Sequence, residues 1–427
     1  MAELEALQES KQEGSQAISQ TDLLMAIPAP LGSELLTPAL QNVLQAFKLL
    51  SSPCQVVLAL PGENTQDAPA ELPQNSVEPA PDRPLRYVNY PLPAAVPGTI
   101  PWLPNAATYR EIARLAITLQ ARACTVLDTD SGFSRDSLTP EKLTLLIDPG
   151  IGGSFDLVMP LYASLAFDDL VNKSILYPLT RTLYGHRIQN PLATEFQMSS
   201  KLFPALAANV VRDSMQQGRL PWPATIAASK NLKICQAQLG VRRPSSADGI
   251  ELSDALAQLT GPLFLDMEDN AALWQRIRGS HDVPIFGAAS ASTEPTDTVD
   301  VRHMVEAFHL GERNLRELWA LILPPVTLLE LKKLSRLSPD EFHMPDTLWA
   351  RIVYDFSLAH RLRNIHRTHL FGALTPLYLG WVASYAVEIN QSGIAAAQQR
   401  VEQLARAYES EKPYLLSRWR WPDRFHP

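Results

Sequence analysis

Residues 21–60 read TDLLMAIPAPLGSELLTPALQNVLQAFKLLSSPCQVVLAL, and the fold is decided here. Two short apolar runs, Thr21–Ile27 and Cys54–Leu60, each stop at a proline, Pro28 and Pro61. Proline cannot donate to a ladder, so it closes a strand. Between the runs, Leu40, Val43, Leu44 and Phe47 recur at helix spacing. The stretch is a strand, helix, strand unit.

Moving outward, Ile112, Leu115, Ala116 and Leu119 share one face of a second helix, which leads into the strand-like runs Ala123–Leu127 and Phe155–Met159. Strands alternating with helices predict an α/β fold, a mainly parallel sheet with helices on both faces, whose ligands sit outside the strand carboxyl ends. A polar break at Ser290–Thr298 separates this part from one that is helical throughout. There Val301, Val305, Phe308, Leu315, Trp319 and Ile322 mark one helix, ended by Pro324 and Pro325. Leu348, Ile352, Phe356, Ala359 and Leu362 mark another, with Ser338, Pro339 and Glu341 ahead of it as a capping box. The expected organisation is a polar leader over 1–20, a sheet domain over 21–289, an α-helical C-terminal domain over 299–410 and a tail over 411–427. Residues 62–84 are a Pro/Glu/Gln-rich loop without a packable face.

A length of 427 residues is enough for two or three domains, each with its own core. Lys+Arg at 37 against Asp+Glu at 45 gives a net charge of -8, which argues against a nucleic-acid protein relying on bulk positive charge. Cys54, Cys124 and Cys235 are odd in number, lack metal-type spacing and lie in apolar stretches, as in a reduced cytoplasmic protein. Met1-Ala-Glu-Leu-Glu carries two acids and no basic region, so a secretion signal is not expected. The uncharged run Thr368–Val387 has the length of a membrane span, yet it contains His369, Gly372, Pro376 and Gly380. It reads as a buried helical hairpin, and membrane contact is not expected.

Asp128-Thr129-Asp130 directly follows the apolar run that ends at Leu127. Two carboxylates two residues apart at a strand end can both turn toward one divalent cation, whose other positions take diphosphate oxygens. The same residues also suit an Asx-type turn that caps the next element. His360, His366 and His369 do not suggest a shared metal, because His360 and His369 point to opposite sides of a helix at 100° per residue. With Arg361, Arg363 and Arg367 they form a basic stretch that could receive an anionic acceptor, or simply a solvated helix face. Arg418-Trp419-Arg420-Trp421 reads as a packing tail anchored by its aromatics.

The stretch FDLVMPLYASLAFDDLVNKSILYPLTRTLYGHRIQNPLATEFQMS at 155–199, with LWARIVYDF at 348–356 and LTPLYLG at 374–380, resembles bacterial family 2-like glycosyltransferases of GT-A fold related to glucosyl-3-phosphoglycerate synthase. The resemblance implies metal-assisted transfer of a hexose from a nucleotide sugar to a small, anionic acceptor, with Mg or Mn as cofactor. It also implies that Asp128 and Asp130 hold the metal and contact the nucleotide, that Pro28 lies at the nucleotide site, and that Glu195 is catalytic on the acceptor side, as general base or transition-state stabiliser. Several motif positions depart from that pattern. The first-strand motif falls on Ala26-Ile27-Pro28-Ala29-Pro30-Leu31, the second on Pro61-Gly62-Glu63-Asn64, the basic stretch on Pro104-Asn105-Ala106-Ala107, and the late metal histidine on Pro244. Only Glu195 survives on the acceptor side, within Ala193-Thr194-Glu195-Phe196. Two readings follow: an active glycosyltransferase, or a catalytically degenerate homologue acting as a binding or regulatory partner. The sequence leaves the assembly open, a homo-oligomer included.

Overall fold

The computed structural model describes residues 21–28, 33–51, 54–62, 85–91, 100, 106–127, 139–163, 165–208, 222–241, 250–289, 299–393 and 396–422, with 33–40 and 85 as backbone. Among the described residues the sheet has eight strands. They are β1 (Leu23–Ala26), β2 (Val56–Pro61), β3 (Leu85–Tyr90), β4 (Ala123–Val126), β5 (Leu157–Ala163), β6 (Phe196–Ser199), β7 (Ile234–Val241) and β8 (Ile285–Phe286). The strand order is β3-β2-β1-β4-β6-β5-β7-β8, in which only β6 runs antiparallel to its neighbours β4 and β5. The central strands are buried on both faces, which explains why they read as unbroken apolar runs rather than as alternating ones.

Helices α1 (Ser33–Leu49), α2 (Ala106–Thr118) and α3 (Pro140–Ile151) divide between the two faces. Val43, Leu44 and Phe47 of α1 pack with Leu143, Leu146 and Ile147 of α3 against Leu23, Met25 and Val158. On the other face, Tyr109, Ile112, Ala113 and Ala116 of α2 pack against Leu24, Cys124 and Phe196. The mainly parallel sheet with helices on both faces, followed by a helical C-terminal region, is therefore the fold the chain adopts.

After β5 the chain forms a π turn over Asn172–Leu176, which runs directly into α4 (Tyr177–Tyr184). Then come α5 (Phe203–Ala207), α6 (Pro223–Ser229), α7 (Leu252–Asp269) and α8 (Ala271–Trp274). Beyond the polar break lie α9 (Arg302–Asn314), α10 (Arg316–Ala320), α11 (Pro325–Leu334), α12 (Asp346–Leu362), α13 (Arg367–Ser392), α14 (Ala397–Ser410) and α15 (Lys412–Arg420). One apolar cluster joins both sides of the break: Ile175, Leu179, Trp222 and Leu263 pack with Trp349, Leu374, Trp381 and Leu404. Backbone of the π turn is gripped from the helical side, where the Trp349 indole and the Tyr408 hydroxyl donate to the Ser174 carbonyl at 3.0 and 2.8 Å. A π turn frees a carbonyl from the regular helical ladder, and two partners capture it here.

Three local expectations are corrected. Thr368–Val387 is not a hairpin: it lies within the single 26-residue helix α13, the one described helix long and apolar enough to cross a membrane, and most of its apolar window is buried in the protein. Pro376 does not end the helix; its ring packs against α9 at Gly311, where an added Cβ would lie 2.7 Å from the proline Cβ. The periodicity from Val301 to Ile322 covers two helices, α9 and α10, with Leu315 between them. Ser338, Pro339 and Glu341 form a turn rather than a capping box, with the Ser338 hydroxyl donating to the Glu341 carboxylate at 2.9 Å. The helix begins at Asp346 because Phe342 and Met344 leave helical geometry to enter the core.

The Arg418-Trp419-Arg420-Trp421 segment packs as expected over its first two residues. Trp419 meets Trp274 edge to face at 5.2 Å, and buried Arg418 pairs with buried Asp355 at 2.7 Å. Trp421 is exposed. Arg361 and Arg367 of the basic stretch are taken up by packing: Arg361 lies over the Trp419 ring at 4.5 Å and donates to the Trp419 carbonyl, and Arg367 lies over Phe371 and donates to the Ala257 carbonyl. Burial beside Arg367 and Arg363 pushes His360 down to about 4, so it is neutral at neutral pH.

Candidate functional site

The carboxyl ends of β1, β2 and β4 continue together beyond the regular ladder. Ile27 donates its amide to the Ala59 carbonyl at 3.1 Å, and Leu127 donates to the Ala26 carbonyl at 2.9 Å. The register pairs Ala26 with Val126, so Ile27 and Leu127 leave neighbouring strands at the same level. Pro28 is buried, and the Tyr90 hydroxyl donates to the carbonyl of Ile27 just before it. Asp128 and Asp130 lie outside the described residues, as do Glu63, Asn64, Asn105 and Pro244.

Antiparallel β6 brings a further group to this end of the sheet. Val126 of β4 pairs with Phe196, which opens β6, so Glu195 precedes the strand at the level where Leu127 leaves β4. Glu195 is buried. Its carboxylate accepts hydrogen bonds from the Tyr162 hydroxyl on Oε1 and from the Thr194 hydroxyl on Oε2, the latter at 2.9 Å. A buried carboxylate is tolerable only when hydroxyl or amide donors replace water, and two such donors are present. Glu195 can accept a proton or stabilise developing positive charge, and it stands beside the point where Leu127 leaves β4.

Sequence reading missed two residues near this end. Tyr162 carries no motif, and its role depends on a strand register that only the sheet shows. Lys173, in the π turn, is a buried ammonium that donates to the Leu165 and Ala166 carbonyls and is pushed down to about 8 by burial, while Asp169 and Asp168 favour its charged form. The Ala166 carbonyl also accepts from the Tyr385 hydroxyl of α13 at 2.7 Å, so the segment after β5 is tied to the helical region.

Among the described residues no group of three or more His, Cys, Asp or Glu is arranged to hold a metal ion. A divalent metal here would rest on Asp128 and Asp130, whose hard carboxylate oxygens are the donor type that Mg and Mn take. That donor chemistry fits the ion.

No family model matches the chain, and no curated protein matches it. Solved structures similar to it include glucosyl-3-phosphoglycerate synthase from Mycobacterium tuberculosis in complex with Mn2+, uridine-diphosphate-glucose and phosphoglyceric acid, at 17% identity and a TM-score of 0.33, covering 61% of this chain and 82% of that one. The same enzyme in complex with Mg2+ and uridine-diphosphate is similar at 16% identity and a TM-score of 0.33, with 61% and 82% covered. A structure described as a mycobacterial protein is similar at 16% identity and a TM-score of 0.31, with 58% and 74% covered. At such scores the likeness carries no weight for fold or function, both of which rest on the chain's own sheet and side chains.

Proposed function

We propose that the chain is a glycosyltransferase-like protein of GT-A type that transfers a hexose from a nucleotide sugar to a small, anionic acceptor. The observation that supports this reading most is the delivery of the Glu195 carboxylate by antiparallel β6 to the carboxyl end of β4, from which Asp128-Thr129-Asp130 follows directly. Open α/β sheets bind ligands at this end.

In this reading Asp128 and Asp130 hold Mg or Mn, which when bound neutralises the diphosphate of the leaving nucleotide. Glu195 accepts the proton of the attacking acceptor hydroxyl or offsets positive charge at the sugar carbon. Tyr162 and Thr194 hold its carboxylate in place, and its burial keeps competing water away. The second reading, a degenerate homologue that binds without turnover, draws on Pro28 and Pro61, which offer a nucleotide no side-chain donor or acceptor at the ends of β1 and β2.

The test is turnover of UDP-glucose and GDP-glucose with Mn and 3-phosphoglycerate, measured as nucleoside diphosphate released. Release that depends on the acceptor is expected from the active reading. Binding of a sugar nucleotide without release would transfer the case to the second reading, and neither binding nor release would end both.

A further inference from the structure

We propose that Tyr162, which stands where the register of β5 against β7 slips, is a positioning residue that sets the orientation of the Glu195 carboxylate. This rests on the reading of Glu195 given above. β5 and β7 pair in parallel from Leu157 with Ile234 to Leu161 with Gln238, and then the register slips so that Tyr162 pairs with Gly240. Leu239 is the extra residue. Gly240 takes φ +89, a left-handed backbone angle that a side chain would strain, so glycine is what allows the slip at this point. A bulge sharpens the local twist and redirects the adjoining side chains, and such bulges collect beside functional sites.

On its other side, β5 meets the strand that Glu195 precedes. β5 pairs with β6 through Val158 and Gln197, and extending that antiparallel register sets Glu195 opposite Pro160. Tyr162 is then the diagonal neighbour of Glu195 on the same face, within reach of a long aromatic side chain that leans back along the sheet. It is half-buried, and its hydroxyl donates to Glu195 Oε1 while Thr194 donates to Oε2. With a donor on each oxygen, the plane of the carboxylate is fixed before any ligand arrives, which is the preorganisation that an acid-base group needs. A phenylalanine would fill the same space without the donor that reaches Glu195.

The test is a double-mutant cycle on the full chain: wild type, Tyr162→Phe, Glu195→Gln and the double variant, each assayed for kcat and for KM of the nucleotide sugar. Tyr162→Phe is expected to lower kcat by roughly 10- to 50-fold with KM changed less than about twofold, because it removes orientation and not ground-state binding. In the Glu195→Gln background the same substitution is expected to do nothing further, since the group it positions is gone. Tyr162→Leu, a second variant without the hydroxyl, covers the case in which the phenylalanine protein does not fold. Equal factors in both backgrounds, or an unchanged kcat, would overturn the proposal and leave the function standing. Wild-type turnover in Glu195→Gln, or none in the wild type, would instead remove the reading of Glu195, and the role of Tyr162 with it.

Discussion

Glu195→Gln is expected to lower hexose transfer by about 10²- to 10⁴-fold, the range for loss of a positioned acid-base group. The substitution keeps size and shape, so the far-ultraviolet circular dichroism spectrum should match wild type. The effect should fall on kcat, because the buried carboxylate is clamped by Tyr162 and Thr194 beside the exit of β4. A variant within threefold of wild type would show that the carboxylate is only a satisfied buried group.

The second large effect is on stability. Arg418→Met is expected to destabilise the protein by about 3–5 kcal/mol at pH 8, because it leaves Asp355 buried without its cation. Tyr414 still donates to Asp355 Oδ2 at 2.7 Å and Arg351 still acts on it from a distance, but the directly paired cation is lost. Burial already pushes Asp355 up to about 6, with Arg418 acting in the other direction, and its removal moves Asp355 further up. A carboxyl whose folded pKa lies above its unfolded value near 3.9 favours folding fully below that value and loses the contribution as pH rises through the folded pKa. The penalty should therefore shrink as pH falls from 8 toward 5. Urea unfolding at both pH values checks this, and a pH-independent loss would mean that lost packing by the arginine stem dominates.

Most of the sheet was legible because its strands are buried on both faces. Runs such as Cys54–Leu60 and Ala123–Leu127 have no alternative use, and they fall on β2 and β4 within one or two residues. Antiparallel β6 was not legible, since the apolar/polar alternation of Phe196-Gln197-Met198-Ser199 spans only four residues and its pairing depends on contacts with β4 and β5 distant in sequence. In the helical region, the pattern marked apolar faces but not breaks. Leu315 interrupts a periodic stretch, whereas Pro376 lies inside a continuous helix with its ring against Gly311. At the candidate site, Glu195 could be found from its segment. Tyr162 could not, because its contact with Glu195 comes from the pairing of β5 with β6, which joins segments distant in sequence.

The central claim concerns a nucleotide-sugar site at the carboxyl ends of β1 and β4, and isothermal titration calorimetry reaches it most directly. The wild-type chain and Asp130→Ala are titrated with UDP-glucose and GDP-glucose, with and without Mn. The expected result is saturable binding of one sugar nucleotide that requires Mn and is lost in Asp130→Ala, with a Kd in the high micromolar to millimolar range, about -6 to -4 kcal/mol, because Pro28 and Pro61 withhold polar contacts. No heat from either sugar nucleotide at millimolar concentration, with the fold intact, would contradict the account.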